Sequence, residues 1–119
     1  MLKGVQTSAM GTAAGAGLAV EERGLQKQVA IVGTSLASVS GQYIKSGSVR
    51  MISFWDPALA GYAMNKIAVM MLEGQKITAG TNLGLPGYES LVQSKDKPNL
   101  FFGSAWIDIT KDNLDQYMQ

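Results

Sequence analysis

The side chains best equipped for chemistry in this chain stand next to each other: Trp55 and Asp56, within Phe54-Trp55-Asp56-Pro57-Ala58. A tryptophan offers a broad apolar face with one N–H donor, and an ionised aspartate accepts strong hydrogen bonds from hydroxyl groups. Together they can stack on a hydroxylated ring and hold it. A structural reading stands beside this one. Asp56 suits a helix N-cap, Pro57 suits the first helical position, and a tryptophan can simply belong to the core. Position supports both, because the pentapeptide ends a β-type run, Ser48 to Phe54, and begins a helical one. Open α/β sheets bind their ligands outside the carboxyl ends of strands.

Composition removes many alternatives. The 119 residues contain no cysteine and no histidine, so disulfides, thiolate chemistry, the usual zinc sites and every imidazole-based mechanism are excluded. A hydrophobic fraction of 46% with 16% charge is that of a globular chain of one domain or part of one. Net charge is +1 and the ten basic residues are scattered singly, so neither nucleic acid nor an anionic membrane is an expected partner. No apolar run approaches the roughly 20 residues that span a bilayer. Met1-Leu2-Lys3-Gly4 lacks the pattern of a signal peptide.

The elements that must position Trp55 and Asp56 follow from periodicity. Leu2 with Val5-Gln6 reads as a short strand, and Gly11 to Glu22 as an alanine-rich helix stopped by Gly24. Its Gly15 and Gly17 allow close approach to a sheet. Gln28 to Gly33 is a continuous apolar run, expected as a central strand covered on both faces. Ser38 or Ser40 can cap a short helix ending at Gly47, and the strand Ser48 to Phe54 follows. From Pro57 to Glu73, Leu59, Ala63, Ile67 and Met71 recur at helical spacing, with Gly74 as terminator. Beyond Ile77, glycines and prolines punctuate short pieces, of which Leu100 to Phe102 and Ala105 to Asp108 read as strands. Thr110 can cap a last helical turn at Lys111 to Gln116.

Strand alternating with helix predicts an α/β fold, a parallel sheet flanked by helices. Three loops at strand carboxyl ends then share one rim: Gln6-Thr7-Ser8, Ser35-Leu36-Ala37, and Trp55-Asp56. That rim is the expected ligand site.

Several of these motifs, taken in order, resemble a family. They are Gly4-Val5-Gln6-Thr7-Ser8, Val29-Ala30-Ile31-Val32-Gly33, Ile44-Lys45-Ser46-Gly47, Phe54-Trp55-Asp56-Pro57 and the closing Ile109-Thr110-Lys111-Asp112-Asn113-Leu114. Together they resemble the carboxyl-terminal half of type I periplasmic sugar-binding proteins of ABC importers, in the branch of rhamnose and autoinducer receptors. The resemblance implies one lobe of a two-lobed fold that binds a monosaccharide or small cyclic polyol-like ligand between lobes. Localisation would be periplasmic, or extracellular at the membrane, with an ABC permease as partner, no catalysis and no cofactor. The implied ligand residues are Gln6, Thr7, Ser8, Ser35, Trp55 and Asp56. Many members carry an aspartate where this chain has Ser35, so a bidentate carboxylate contact is absent.

The resemblance further implies a single partial domain over residues 1–119, the carboxyl-terminal lobe. Its segment 57–74 would be a hinge-crossing helix packed on an absent amino-terminal lobe. The exposed stripe would make a homodimer of the fragment an expected assembly. Two other classes stand against this reading. One is a purely structural or oligomerising domain, and the other a glycoside-acting enzyme using Asp56 with Glu89 or Asp108 as a carboxylate pair. Gly11, Gly15 and Gly17 match neither the dinucleotide nor the nucleotide-loop pattern.

Overall fold

The computed structural model describes residues 1–118. In chain order the elements are β1 (Gly4–Thr7), α1 (Met10–Glu22), β2 (Ala30–Thr34), α2 (Ala37–Ser46), β3 (Met51–Phe54), α3 (Pro57–Leu72), β4 (Val92–Gln93), β5 (Phe101–Phe102) and β6 (Ile107–Ile109), then a 3-10 turn at Leu114–Tyr117. Met1–Phe54 and the segment from Ile107 onward form one compact unit, and Trp55–Trp106 forms another.

The first unit is built on a four-stranded sheet in the order β1-β2-β3-β6, in which the first three strands are parallel. The fold class is therefore α/β with a mostly parallel sheet. It differs from the expected all-parallel sheet at one edge, because β6 pairs antiparallel with β3, with Phe54 opposite Ile107. The cause is connectivity: the chain leaves the unit after Phe54 and returns at Ile107, so the returning strand starts beside the departing one's end and runs the other way. Antiparallel edge strands on parallel sheets are common.

The core of this unit is formed by Ile31, Ile52 and Ile109 from the sheet, Ala13 and Val20 from α1, and Ala37 and Ile44 from α2. β2 is interior as expected, but its faces differ: Ile31 is fully buried while Ala30 is exposed. One face of its apolar run is thus buried and the other, where Val32 and Thr34 are half-buried, only partly covered. Gly17 lets α1 approach closely, since a Cβ there would lie 2.9 Å from Tyr43 Cγ and 3.0 Å from Val49 Cγ2. Gly15 has open space and contributes nothing to packing.

Local chemistry sets the helix ends. Thr12 Oγ1 donates to Ala9 O at 2.6 Å and accepts from Ala9 N–H at 3.3 Å, which holds the start of α1. α2 starts at Leu36 without a side-chain cap, so neither Ser38 nor Ser40 caps it. Ser40 is buried inside the helix and shares a 2.7 Å hydrogen bond with Ser35. Gly47 ends α2 at φ 84°, a left-handed conformation that glycine adopts freely. The last helical turn is 3-10 and starts only at Leu114, without a side-chain cap; Thr110 Oγ1 accepts from Asp112 N–H at 3.4 Å in the turn before it. Asn113 Oδ1 also accepts from Thr110 N–H at 2.8 Å while its Nδ2 donates to Asp108 O at 2.9 Å.

The second unit holds α3 and the β4–β5 hairpin, with Ala63, Leu83 and Leu91 as its small core. The strand expected at Leu100 to Phe102 is β5, paired with β4 rather than with the main sheet. Much of the apolar face of α3 is uncovered: Met64, Met71 and Leu72 are all exposed.

A Cβ at Gly33 would meet Thr7 Oγ1 at 2.0 Å and the Thr7 carbonyl oxygen at 2.4 Å, a clash with backbone. Gly33→Ala is expected to destabilise by about 1–3 kcal/mol, whereas Gly15→Ala should stabilise by roughly 0.5–1 kcal/mol, as read from urea unfolding midpoints. Glu21 accepts hydrogen bonds from Ser46 Oγ and, at 2.5 Å, from Ser48 Oγ, and these hold its carboxyl below the ordinary range. A carboxyl with a depressed folded-state pKa stabilises above its unfolded pKa and loses that contribution as pH falls. The stability difference between the chain and Glu21→Gln should therefore be largest near neutrality and close in acid, measured by urea unfolding across that range.

Candidate functional site

Asp56 is the N-cap of α3, with Oδ1 accepting from Ala58 N–H at 2.8 Å and from Leu59 N–H at 3.3 Å. Pro57 fills the first helical position, as the sequence requires. Both cap bonds fall on Oδ1, which leaves Oδ2 outside the cap. The capping role and a second hydrogen-bonding role are thus compatible.

Trp55 is 44% exposed, too open for a core tryptophan. It meets Trp106, with ring centroids 5.1 Å apart and planes inclined at 73°. These two indoles, with Tyr88, Gly103 and Ala105, line a cavity of about 240 Å³. Two glycines, Gly87 and Gly103, let the segments that carry its lining residues come close together. Gly87 turns the chain at φ 79°, and a Cβ on it would lie 2.5 Å from Ala105 Cα. A Cβ on Gly103 would lie 2.5 Å from the Tyr88 ring. The Ser104 N–H donates to Gly87 O at 2.6 Å and ties the two segments together.

The other candidates belong to the first unit. Gln6 and Ser8 are exposed and Thr7 half-buried, at and just beyond the carboxyl end of β1. Thr7 Oγ1 is the one buried side-chain polar atom without a partner among the described residues. Ser35 follows β2 and is almost fully buried, with Oγ donating to Met10 O at 2.7 Å and sharing the bond to Ser40. Its hydroxyl fastens the start of α1 to α2. The structure therefore collects Gln6, Thr7, Ser8 and Ser35 in one unit and Trp55 with Asp56 in the other.

Of the carboxylates considered as a pair, Asp108 belongs to the first unit and accepts from Ser53 Oγ at 2.5 Å, while Glu89 is exposed in the second. Among the described residues no three His, Cys, Asp or Glu side chains cluster as a metal site, and no helix is long and apolar enough to cross a membrane. Trp106 and Tyr88 escaped the reading of the sequence. The available signal was positional: Trp106 precedes one strand as Trp55 follows another.

A search of curated proteins returns no match. Two solved structures share the fold. A carbohydrate transporter solute-binding protein from Agrobacterium radiobacter, in complex with D-arabinose, aligns with a TM-score of 0.62 and 21% identity over 98% of this chain and 34% of its own. LsrB from Clostridium saccharobutylicum, in complex with AI-2, aligns with a TM-score of 0.66 and 19% identity over 97% of this chain and 39% of its own. The chain thus spans little more than a third of either protein. The family model described as a periplasmic binding protein domain matches residues 1–76, well over half of the sequence, and the chain belongs to that family.

Proposed function

We propose that the chain is part of the substrate-binding component of a sugar-type ABC importer, acting in the periplasm or at the outer surface of the membrane. The ligand is a monosaccharide or small cyclic polyol-like molecule. The observation that carries this reading is the Trp55–Asp56 pair, a half-exposed indole beside a carboxylate whose cap bonds use only one oxygen. Such a pair stacks on the C–H face of a sugar while Oδ2 accepts from ring hydroxyls. The ligands in the two solved relatives, D-arabinose and AI-2, support the ligand class.

Gln6, Thr7 and Ser8, at the end of β1 in the first unit, are proposed as polar ligand contacts in their own right. Ser35 acts in this scheme by fixing the loop after β2, since its hydroxyl is already engaged. The rest of the site comes from an amino-terminal lobe in a longer protein, on which α3 packs and with which the ligand is enclosed. Ligand then biases the lobes toward closure, the form an ABC permease recognises. No catalytic step and no cofactor belong to this scheme.

Tryptophan fluorescence titrated with a panel of monosaccharides tests it. Saturable binding in the millimolar range is expected for at least one sugar, weak because one wall of the site is absent. Trp55→Ala should abolish it without loss of stability. Asp56→Asn should keep the cap yet weaken binding about tenfold, whereas Asp56→Ala should also cost roughly 1 kcal/mol of stability. Saturable binding that survives Trp55→Ala and Asp56→Asn unchanged would contradict the proposal.

A second reading concerns the isolated chain. Met64, Met71 and Leu72 share one side of α3 and are all more than 60% exposed, so a second copy covers them when the amino-terminal lobe does not. Light scattering should find a concentration-dependent dimer that Met71→Glu with Leu72→Glu converts to monomer.

A further inference from the structure

We infer that Trp106 is a second ligand-contacting residue, and that the corner it makes with Trp55 selects cyclic sugars over open-chain polyols. The inference rests on the sugar-binding reading above and adds a residue and a selectivity to it.

The geometry is that of two walls meeting. Indole planes at 73° with centroids 5.1 Å apart present adjoining aromatic surfaces, and both residues are well exposed, Trp55 at 44% and Trp106 at 59%. An edge-to-face pair that served packing alone would be expected to sit buried among aliphatic side chains. This one lines the cavity of about 240 Å³ with Tyr88, Gly103 and Ala105. The volume lies below the roughly 300–1,000 Å³ typical of sites for drug-sized ligands, which suits a single small ring.

The cavity is also held by features that resist collapse. Gly87 and Gly103 each admit a close contact that any side chain would forbid, and the 2.6 Å hydrogen bond from Ser104 N–H to Gly87 O locks those segments together. The Tyr88 ring is seated against Gly103 as a result, on the cavity wall.

Selectivity follows from the chemistry of the walls. A ring sugar carries its C–H bonds on a preformed apolar patch, which two inclined indoles can cover at once. An open-chain polyol exposes hydroxyls on both sides and must be ordered before it offers any such patch, at an entropic cost. Hydroxyl hydrogen bonds to Asp56 are available to either ligand, so the discrimination belongs to the aromatic corner.

The chain has only two tryptophans, so its indole N–H groups give two resolvable resonances in a nitrogen–proton correlation spectrum. Titration with a panel of pyranoses, and with the hexitols made by reducing them, is expected to shift both resonances saturably for a pyranose and to bind its hexitol several-fold more weakly. Trp106→Ala should weaken the pyranose roughly five- to tenfold while leaving the hexitol nearly unchanged, and Trp106→Phe should recover affinity to within about twofold. Unchanged urea midpoints in both variants confirm that folding is intact, as the exposure of Trp106 leads one to expect. Saturable pyranose binding with equal affinity in Trp106→Ala, or with the Trp106 resonance unmoved, overturns this inference and leaves the sugar-binding reading standing. No saturation by any sugar in the unsubstituted chain overturns both.

Discussion

The antiparallel register of β3 and β6 is the constraint on which the rest depends. Ile52 stands opposite Ile109, Ser53 opposite Asp108 and Phe54 opposite Ile107. One residue beyond the last pair, the chain continues as Trp55 on one side and as Trp106 on the other. Two side chains about 50 positions apart in sequence are thereby brought within ring contact. A slip of one residue would turn each strand's side chains to the opposite face and remove Ile52 or Ile109 from the core, where both are fully buried. The Ser53–Asp108 hydrogen bond lies within the same ladder and marks the same register.

The first unit secures that register by packing one sheet face against two helices whose small residues permit close approach. Gly17 under Tyr43 and Val49, and Gly33 under Thr7, are places where the missing Cβ is occupied by another chain segment. Ser35 and Ser40 replace what an apolar pair would do there with a buried hydrogen bond, completed by the Met10 carbonyl. A satisfied buried hydroxyl pair costs little, whereas breaking one partner leaves the other exposed to its full desolvation penalty.

Much of this was legible in the sequence. The alternation of strand and helix, the Asp56-Pro57 start of α3 and the glycine stops at Gly47 and Gly74 are local signals, set by spacing and by the backbone freedom of single residues. What stayed hidden depends on long-range pairing. The direction of β6 is decided by where the chain re-enters the first unit, and the β4–β5 hairpin consists of strands of two residues each, too short to show a period. The neighbours of Trp55 were illegible for the same reason, because Trp106 meets it across about 50 residues of chain and Tyr88 joins their cavity by packing against Gly103. Ser35, by contrast, looked polar and available at a strand end, and only packing reveals that its hydroxyl is enclosed.

Trp55 and Asp56 follow directly on the end of β3, and side chains at the end of a packed strand are held where they can meet a ligand. The central claim is that Trp55 and Asp56 receive a sugar ring. The most direct measurement is a crystal structure of the protein grown with the tightest-binding monosaccharide. The account predicts a ring stacked on the Trp55 indole, with a hydroxyl hydrogen-bonded to Asp56 Oδ2. A well-occupied sugar bound elsewhere, with Trp55 and Asp56 bare, would contradict it.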